Sequence, residues 1–166
     1  DYGWDHTSGY QYNDTILLGF SQTRLSGTGI SEMGDVLLLP INPKKEQLKN
    51  AYYKNTEIGK VGYYALTKKD DVKVELTCSE RVAFHQYTFP DNGAQVYVDL
   101  QHGLRFLFDE QSQQGLVIES DVKIENNTTI SGFCATQNWV SRKYYFTITF
   151  DQPFINLNHL DPKPKD

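Results

Sequence analysis

Alternation of apolar and polar residues along several segments constrains this chain more than any other feature of its sequence. The clearest case is residues 118–124, where Ile118, Ser120, Val122 and Ile124 alternate with charged residues. Because successive side chains of a β-strand point to opposite faces, this pattern predicts a strand with one buried and one solvated face. Such strands are typical of antiparallel sheets. The same pattern recurs at residues 72–78, 94–100 and 144–150.

Short turn signals separate these predicted strands. Asn126-Asn127 predicts a hairpin, and Pro90-Asp91-Asn92-Gly93 separates two further apolar runs. Strands that recur with short connections favour a sandwich over alternating strands and helices. The sequence therefore predicts an all-β fold, an antiparallel, supersandwich-like β-sandwich with at most a short helix at Lys44–Tyr53.

Length and charge limit the classes of function. A chain of 166 residues with 39% apolar residues can form one domain with a substantial core. We expect that domain to span residues 1–155, with residues 156–166 as a tail or the start of a linker. The net charge of -5 argues against binding to nucleic-acid phosphates. No run approaches the ~18 apolar residues of a membrane span.

The central part of the chain contains no recognisable catalytic or metal-binding motif. Cys78 and Cys134 lack metal-site spacing, and Cys78 continues an apolar face, so we expect it to be buried. The same alternation places Glu80 beside apolar neighbours, where a carboxylate needs a partner or a bulge that turns it outward. An ion pair with Arg81 or His85, or a bulge, is favoured over a catalytic role for Glu80.

The N-terminal segment differs from the rest because it concentrates glycine and aromatic residues. Six of the 12 glycines lie before residue 35, which is typical of shaped loops. Trp4-Asp5-His6, with Tyr10 and Tyr12 nearby, places rings beside polar groups, and this combination suits the apolar and hydroxyl-bearing parts of a sugar. Packing against another domain is the alternative. Gly27-Thr28-Gly29 lacks the third glycine of a dinucleotide-binding motif.

Several phrases of the sequence resemble family 92 glycoside hydrolases, which are bacterial exo-acting α-mannosidases often described as α-1,2-mannosidases. The resemblance runs through most of the chain, to about Phe154. The phrases are Trp4-Asp5, Ser8-Gly9-Tyr10, Gly19 to Gly29 (GFSQTRLSGTG), Gly34-Asp35-Val36, Glu80-Arg81-Val82, Phe84-His85, Tyr87 to Pro90, Gly132-Phe133, Trp139 and Tyr145-Phe146.

This resemblance implies a two-part enzyme of which the chain is the N-terminal β-sandwich. A larger (α/α)6 helical domain is then the missing partner. It would carry the general acid, the general base and the ligands of a required calcium ion, and the reaction would invert the anomeric centre. The resemblance also implies a periplasmic, secreted or cell-surface bacterial protein. It predicts no catalytic or metal-binding residue in this chain.

The resemblance predicts four substrate-binding residues: Trp4, Asp5, Gln22 and Arg24. Trp4 corresponds to an aromatic residue that lines the terminal-mannose subsite, and Asp5 is its neighbour. Gln22 and Arg24 stand where many family members carry histidine in a His-Thr-His phrase, so contacts with an α-mannoside glycan would differ here. A free-standing carbohydrate-binding module is the alternative function. A half-site should also expose an apolar patch, expected around Tyr2, Trp4, Tyr10, Tyr12 and Phe20.

Overall fold

The computed structural model describes residues 11–23, 33–90, 93–103, 117–137 and 140–158, in which the regular secondary structure is mostly antiparallel strand. The first five strands are β1 (Leu37–Ile41), β2 (Ile58–Lys60), β3 (Tyr63–Thr67), β4 (Lys73–Cys78) and β5 (Ala83–Thr88). The remaining four are β6 (Gln95–Asp99), β7 (Val117–Ile124), β8 (Thr129–Gln137) and β9 (Ser141–Thr149). The predicted all-β antiparallel fold is confirmed.

The described strands form three groups. A four-stranded sheet has the order β2-β3-β4-β5, and a three-stranded sheet has the order β7-β8-β9. The third group is the antiparallel pair of β1 and β6. The predicted hairpin at Asn126-Asn127 joins β7 to β8, and the Asn126 side chain accepts a hydrogen bond from the Thr128 amide at 2.8 Å.

Two apolar clusters lie on the inward faces of these sheets. One joins Phe20 and Tyr52 to Leu66, Val72 and Val74 of the β3–β4 region. The second is built from Val36, Leu38 and Cys134, with partly buried residues of β6 and β9 packed around them. Here the β1–β6 pair covers the three-stranded sheet. The inward residues of β6 and β9 are Val96, Val98, Tyr144, Phe146 and Ile148.

A fully buried ion pair connects β1 to the turn between β3 and β4. The Lys68 ammonium lies 2.8 Å from Asp70 and also donates to the Pro40 carbonyl. Asp70 accepts from the Asn42 amide at 3.2 Å, and the Asn42 side chain donates back to the Asp70 carbonyl at 3.0 Å. Burial lowers the pKa of Lys68. These bonds satisfy charges that would otherwise be costly to bury.

Two local predictions were wrong, and the bounds of a third need correction. The predicted short helix is present as a 3-10 helix at Pro43–Leu48 but does not extend over residues 44–53, because Tyr52 bridges to Lys68 as extended chain. A bulge between Val117 and Glu119 shifts the register of β7, which leaves Ile118 64% exposed. Cys78 is exposed because it ends β4 at the rim of the sheet. Among the described residues, no helix is long and apolar enough to span a membrane.

Gly132 provides a test of the packing of the three-stranded sheet. A Cβ at this position would lie 2.2 Å from the Asp121 carbonyl oxygen and 2.8 Å from the Phe146 ring. We expect Gly132→Ala to lower the free energy of unfolding by about 1–3 kcal/mol, measured by urea denaturation. Gly59→Ala is the matched control, because nothing lies within 4 Å of its added Cβ. Equal stability of the two variants would contradict this packing.

Candidate functional site

A polar cluster at Thr23, Gly34 and Asp35, named the loop base, joins the chain on either side of residues 24–32. Residues 24–32 lie outside the described residues, but both ends of this segment are described. The Gly34 amide donates to the Thr23 carbonyl at 2.9 Å, and the Asp35 amide donates to the Thr23 hydroxyl oxygen at 2.8 Å. The Thr23 hydroxyl donates in turn to the Asp35 carboxylate at 3.1 Å. The described chain is therefore held together on both sides of residues 24–32.

Arg142 on β9 donates hydrogen bonds to the Asp35 carboxylate of this polar cluster. Its Nη2 lies 3.0 Å from Oδ2 and 3.3 Å from Oδ1 of Asp35, and its Nε lies 3.3 Å from Oδ2. Asp35 is fully buried, whereas the Arg142 side chain is partly exposed. A buried carboxylate requires such a partner, because an unpaired charge in the interior is strongly unfavourable. The guanidinium thus fixes the carboxylate that holds Thr23.

The backbone around Asp35 adopts an uncommon conformation. Met33 and Val36 have positive φ angles of 69° and 55°, and Gly34 between them has 85°. A left-handed conformation is costly for a β-branched residue such as Val36, of the order of 1–3 kcal/mol. It persists when the surroundings fix the chain, and Val36 is held by its burial in the second apolar cluster. The surrounding structure therefore fixes the backbone conformation of the loop base.

Other groups around the Asp35 carboxylate respond to its charge and to burial. The Gly34 carbonyl can only accept, so Nδ1 of His102, 2.7 Å away, carries a proton and donates to it. Burial, with the charges of Asp35 and Asp99, raises the pKa of the Cys134 thiol to about 11. Burial and Asp35 also raise the pKa of Tyr144. The Cys134 thiol and the Tyr144 hydroxyl therefore stay neutral at physiological pH.

A groove lies next to the loop base and has a volume of about 530 Å³. Its walls are Ser21 and Gln22, residues 59–62 at the end of β2 and in the turn that follows it, and one end of strands β3 to β5. The lining combines apolar side chains with hydroxyl, amide and imidazole groups, a composition that suits a small polar ligand with apolar faces. The lining residues of the sheet are Tyr63, Tyr64, Leu76, Thr77, Cys78 and His85.

A chain of hydrogen bonds runs from the wall of this groove into the sheet. The Gln22 amide nitrogen contacts Nε2 of His85, and Nδ1 of His85 lies 2.5 Å from the Tyr87 hydroxyl. Burial lowers the pKa of His85 and raises that of Tyr87. Both side chains are therefore held in their neutral forms, and Gln22 is the exposed end of the chain.

The predicted site residues are only partly within the described structure. Trp4, Asp5 and Arg24 lie outside the described residues, whereas Gln22 lines the groove. Glu80 is exposed in the turn between β4 and β5, where the Ser79 amide donates to the Val82 carbonyl at 2.8 Å. The expected ion pair or bulge at Glu80 is thus replaced by a hairpin turn. Of the residues expected in an apolar patch, Tyr12 is 74% exposed, but Phe20 is buried in the core.

Sequence reasoning missed the role of three residues. Asp35 and Arg142 are separated by 107 positions, and no local pattern connects them. The position of His85 could be predicted from the sequence, because alternation places it with Ala83 and Tyr87 on the inward face of β5. A histidine on an apolar face needs hydrogen-bond partners, and that requirement could have pointed to Gln22 and Tyr87.

The described residues do not bring together three or more histidine, cysteine, aspartate or glutamate side chains able to hold a metal ion. The buried Asp35 carboxylate, which contacts Thr23 next to the groove residue Gln22, is instead paired with Arg142. The part of the chain that the structure describes therefore does not fit a calcium site.

Comparison with known proteins identifies the family. The sequence matches the glycosyl hydrolase family 92 N-terminal domain over residues 1–165, and the chain belongs to this family. A similar solved structure is the family GH92 alpha-mannosidase BT3965 from Bacteroides thetaiotaomicron, with 30% sequence identity and a TM-score of 0.77. The match covers 92% of this chain but 21% of that protein. Curated proteins gave no significant match.

Arg142→Met tests the anchor of the loop base. Because it leaves Asp35 buried without its counter-charge, we expect a loss of about 3–5 kcal/mol in the free energy of unfolding, measured by denaturant titration. Lys123→Met is the control, because the Lys123–Glu125 pair is exposed and such pairs contribute about 0–1 kcal/mol. If Arg142→Met lowers the free energy of unfolding no more than the control does, Arg142 does not stabilise the loop base.

His85 predicts a pH dependence of stability. Its pKa in the folded chain lies below the ordinary value of 6.5, so between the two values the unfolded chain binds more protons. Stability contributed by the neutral imidazole is complete above pH 6.5 and falls as the pH decreases towards the folded pKa. We expect His85→Gln to remove this part of the pH dependence in thermal unfolding, and His102→Gln to retain it. An unchanged profile for His85→Gln would contradict the assignment.

Proposed function

We propose that this chain is the non-catalytic N-terminal part of an inverting exo-α-mannosidase, and that its loops complete the subsite for terminal mannose, with α-1,2-linked mannose as the substrate. Trp4, Asp5, Gln22 and Arg24 are the proposed contacts with the sugar. The general acid, the general base and the calcium ligands belong to a C-terminal helical domain in this proposal. Residues 156–166 lead towards that domain, and the enzyme acts in the bacterial periplasm or outside the cell.

The observation that supports this proposal most is the fraction of the related enzyme that the chain covers. Family membership over residues 1–165 is combined with a match to 21% of an α-mannosidase chain. A domain of this size next to a much larger one can contribute to a pocket between domains, which is a frequent place for ligand sites. The anchored base of the loop at residues 24–32 supplies the rigid support that a binding loop requires.

Kinetics of the enzyme that carries this domain tests the proposal. A stacking contact between an aromatic ring and the sugar contributes about 1.5 kcal/mol. Trp4→Ala, which removes this contact, should therefore lower kcat/KM for α-1,2-mannobiose about tenfold. Tyr145→Ala is the control, because this exposed ring on β9 does not line the groove. The melting temperature should stay unchanged in both variants. Wild-type kinetics for Trp4→Ala would overturn the proposed subsite.

A second candidate function, a free-standing carbohydrate-binding module, is supported by an aromatic pair on the outer face of the β7–β9 sheet. Tyr145 is 70% exposed and lies 6.0 Å from Phe133, with the ring planes inclined by 49°. The Lys143 ammonium lies 3.6 Å from the centre of the Phe133 ring. One exposed ring is a limited platform for a sugar, so this candidate is second. Mannobiose binding by the 166-residue chain that Tyr145→Ala abolishes would favour it.

A further inference from the structure

The contact between Gln22 and His85 determines which atoms the groove can offer to a ligand. The atom of Gln22 that faces His85 Nε2 is the amide nitrogen, which can only donate hydrogen bonds. His85 Nε2 must therefore accept. A neutral imidazole carries one N–H, so the proton of His85 lies on Nδ1, from which it is donated to the Tyr87 hydroxyl oxygen at 2.5 Å.

Burial keeps His85 in this neutral form, since it lowers the pKa of the imidazole. Lys60, Tyr63, Tyr64 and Cys78 are the other titratable groups that line the groove. The inward neighbours of His85 on β4 and β5 are Leu76, its cross-strand partner, and Tyr87. The surroundings of the ring therefore favour the uncharged state that the geometry requires.

The orientation of Gln22 follows from the state of His85. Because the amide nitrogen is turned towards the imidazole, the carbonyl oxygen on the other side of the planar amide is left to the exposed groove. We propose that His85 is a positioning residue that fixes the Gln22 amide so that its carbonyl oxygen accepts a hydrogen bond from a neutral, hydroxyl-bearing ligand in the groove. The assignment of that ligand as a mannoside rests on the proposed function.

Protonation of His85 would reverse this arrangement. Both imidazole nitrogens are donors in the charged form, so Nε2 would oppose the amide nitrogen of Gln22. Rotation of the amide then brings its oxygen to His85 and its nitrogen to the groove. The wall of the groove thus changes from an acceptor to a donor as the pH falls through the pKa of His85.

The tautomer of His85 tests the positioning role without any ligand. In long-range ¹H–¹⁵N NMR spectra of the folded chain at pH 7.5, a value chosen above the ordinary pKa of about 6.5, we expect a protonated Nδ1 and an unprotonated Nε2. Gln22→Met, which removes the amide donor, should shift His85 towards the Nε2–H tautomer. Gln86→Met is the matched control, because Gln86 is exposed on the opposite face of β5, and it should leave the spectrum unchanged. An Nε2–H tautomer in the unmodified chain would overturn the proposal.

A double-mutant cycle tests the ligand. In the enzyme that carries this domain, Gln22→Met should lower kcat/KM for α-1,2-mannobiose about tenfold, as expected for one lost hydrogen bond. If His85 acts through Gln22, adding His85→Leu to Gln22→Met lowers kcat/KM no further. Additive losses, or wild-type kinetics for Gln22→Met, would overturn the role in the groove. The NMR result needs no ligand, so failure of the positioning role of His85 is distinguishable from failure of the proposed mannose subsite.

Discussion

The buried Asp35 carboxylate and its Arg142 partner form the interaction on which the functional end of this domain depends. They join β9 to the base of the N-terminal loop across 107 positions of chain. Asp35 also holds Thr23, and Thr23 directly follows the groove residue Gln22. Removal of the guanidinium would leave a fully buried charge and would release the segment that lines the groove. The position of Gln22 is therefore tied to the packing of the three-stranded sheet.

The groove and the loop base lie side by side, because consecutive residues contribute to them. Residues 21–23 form the boundary: Ser21 and Gln22 line the groove, while the Thr23 hydroxyl points to Asp35. On the groove side, His85 and Tyr87 add a second set of fixed hydrogen bonds. A binding site supported from both sides keeps its geometry without a ligand, which reduces the entropy lost on binding. This arrangement supports the proposal that the N-terminal edge takes part in sugar recognition.

The sequence predicted the strands well because their signal is local. Alternation identified β6 and β9 and placed Val96, Val98, Phe146 and Ile148 on the buried face. Local alternation fails where the register changes, as at the bulge beside Ile118, or where a strand ends, as at Cys78. It cannot show which polar residues meet, because the Asp35–Arg142 and Gln22–His85 contacts depend on how distant strands pack. Gln22 was predicted by resemblance, whereas His85 became visible as its partner only in the folded chain.

We propose that this domain supplies part of a mannose pocket and cannot complete it alone. Isothermal titration of a thio-linked α-1,2-mannobiose, which a glycosidase does not readily hydrolyse, into the 166-residue chain and in parallel into the enzyme that carries this domain separates the two possibilities. We expect no detectable heat of binding for the chain and saturable binding for the enzyme. Binding by the chain alone as tight as binding by the enzyme would overturn the proposal.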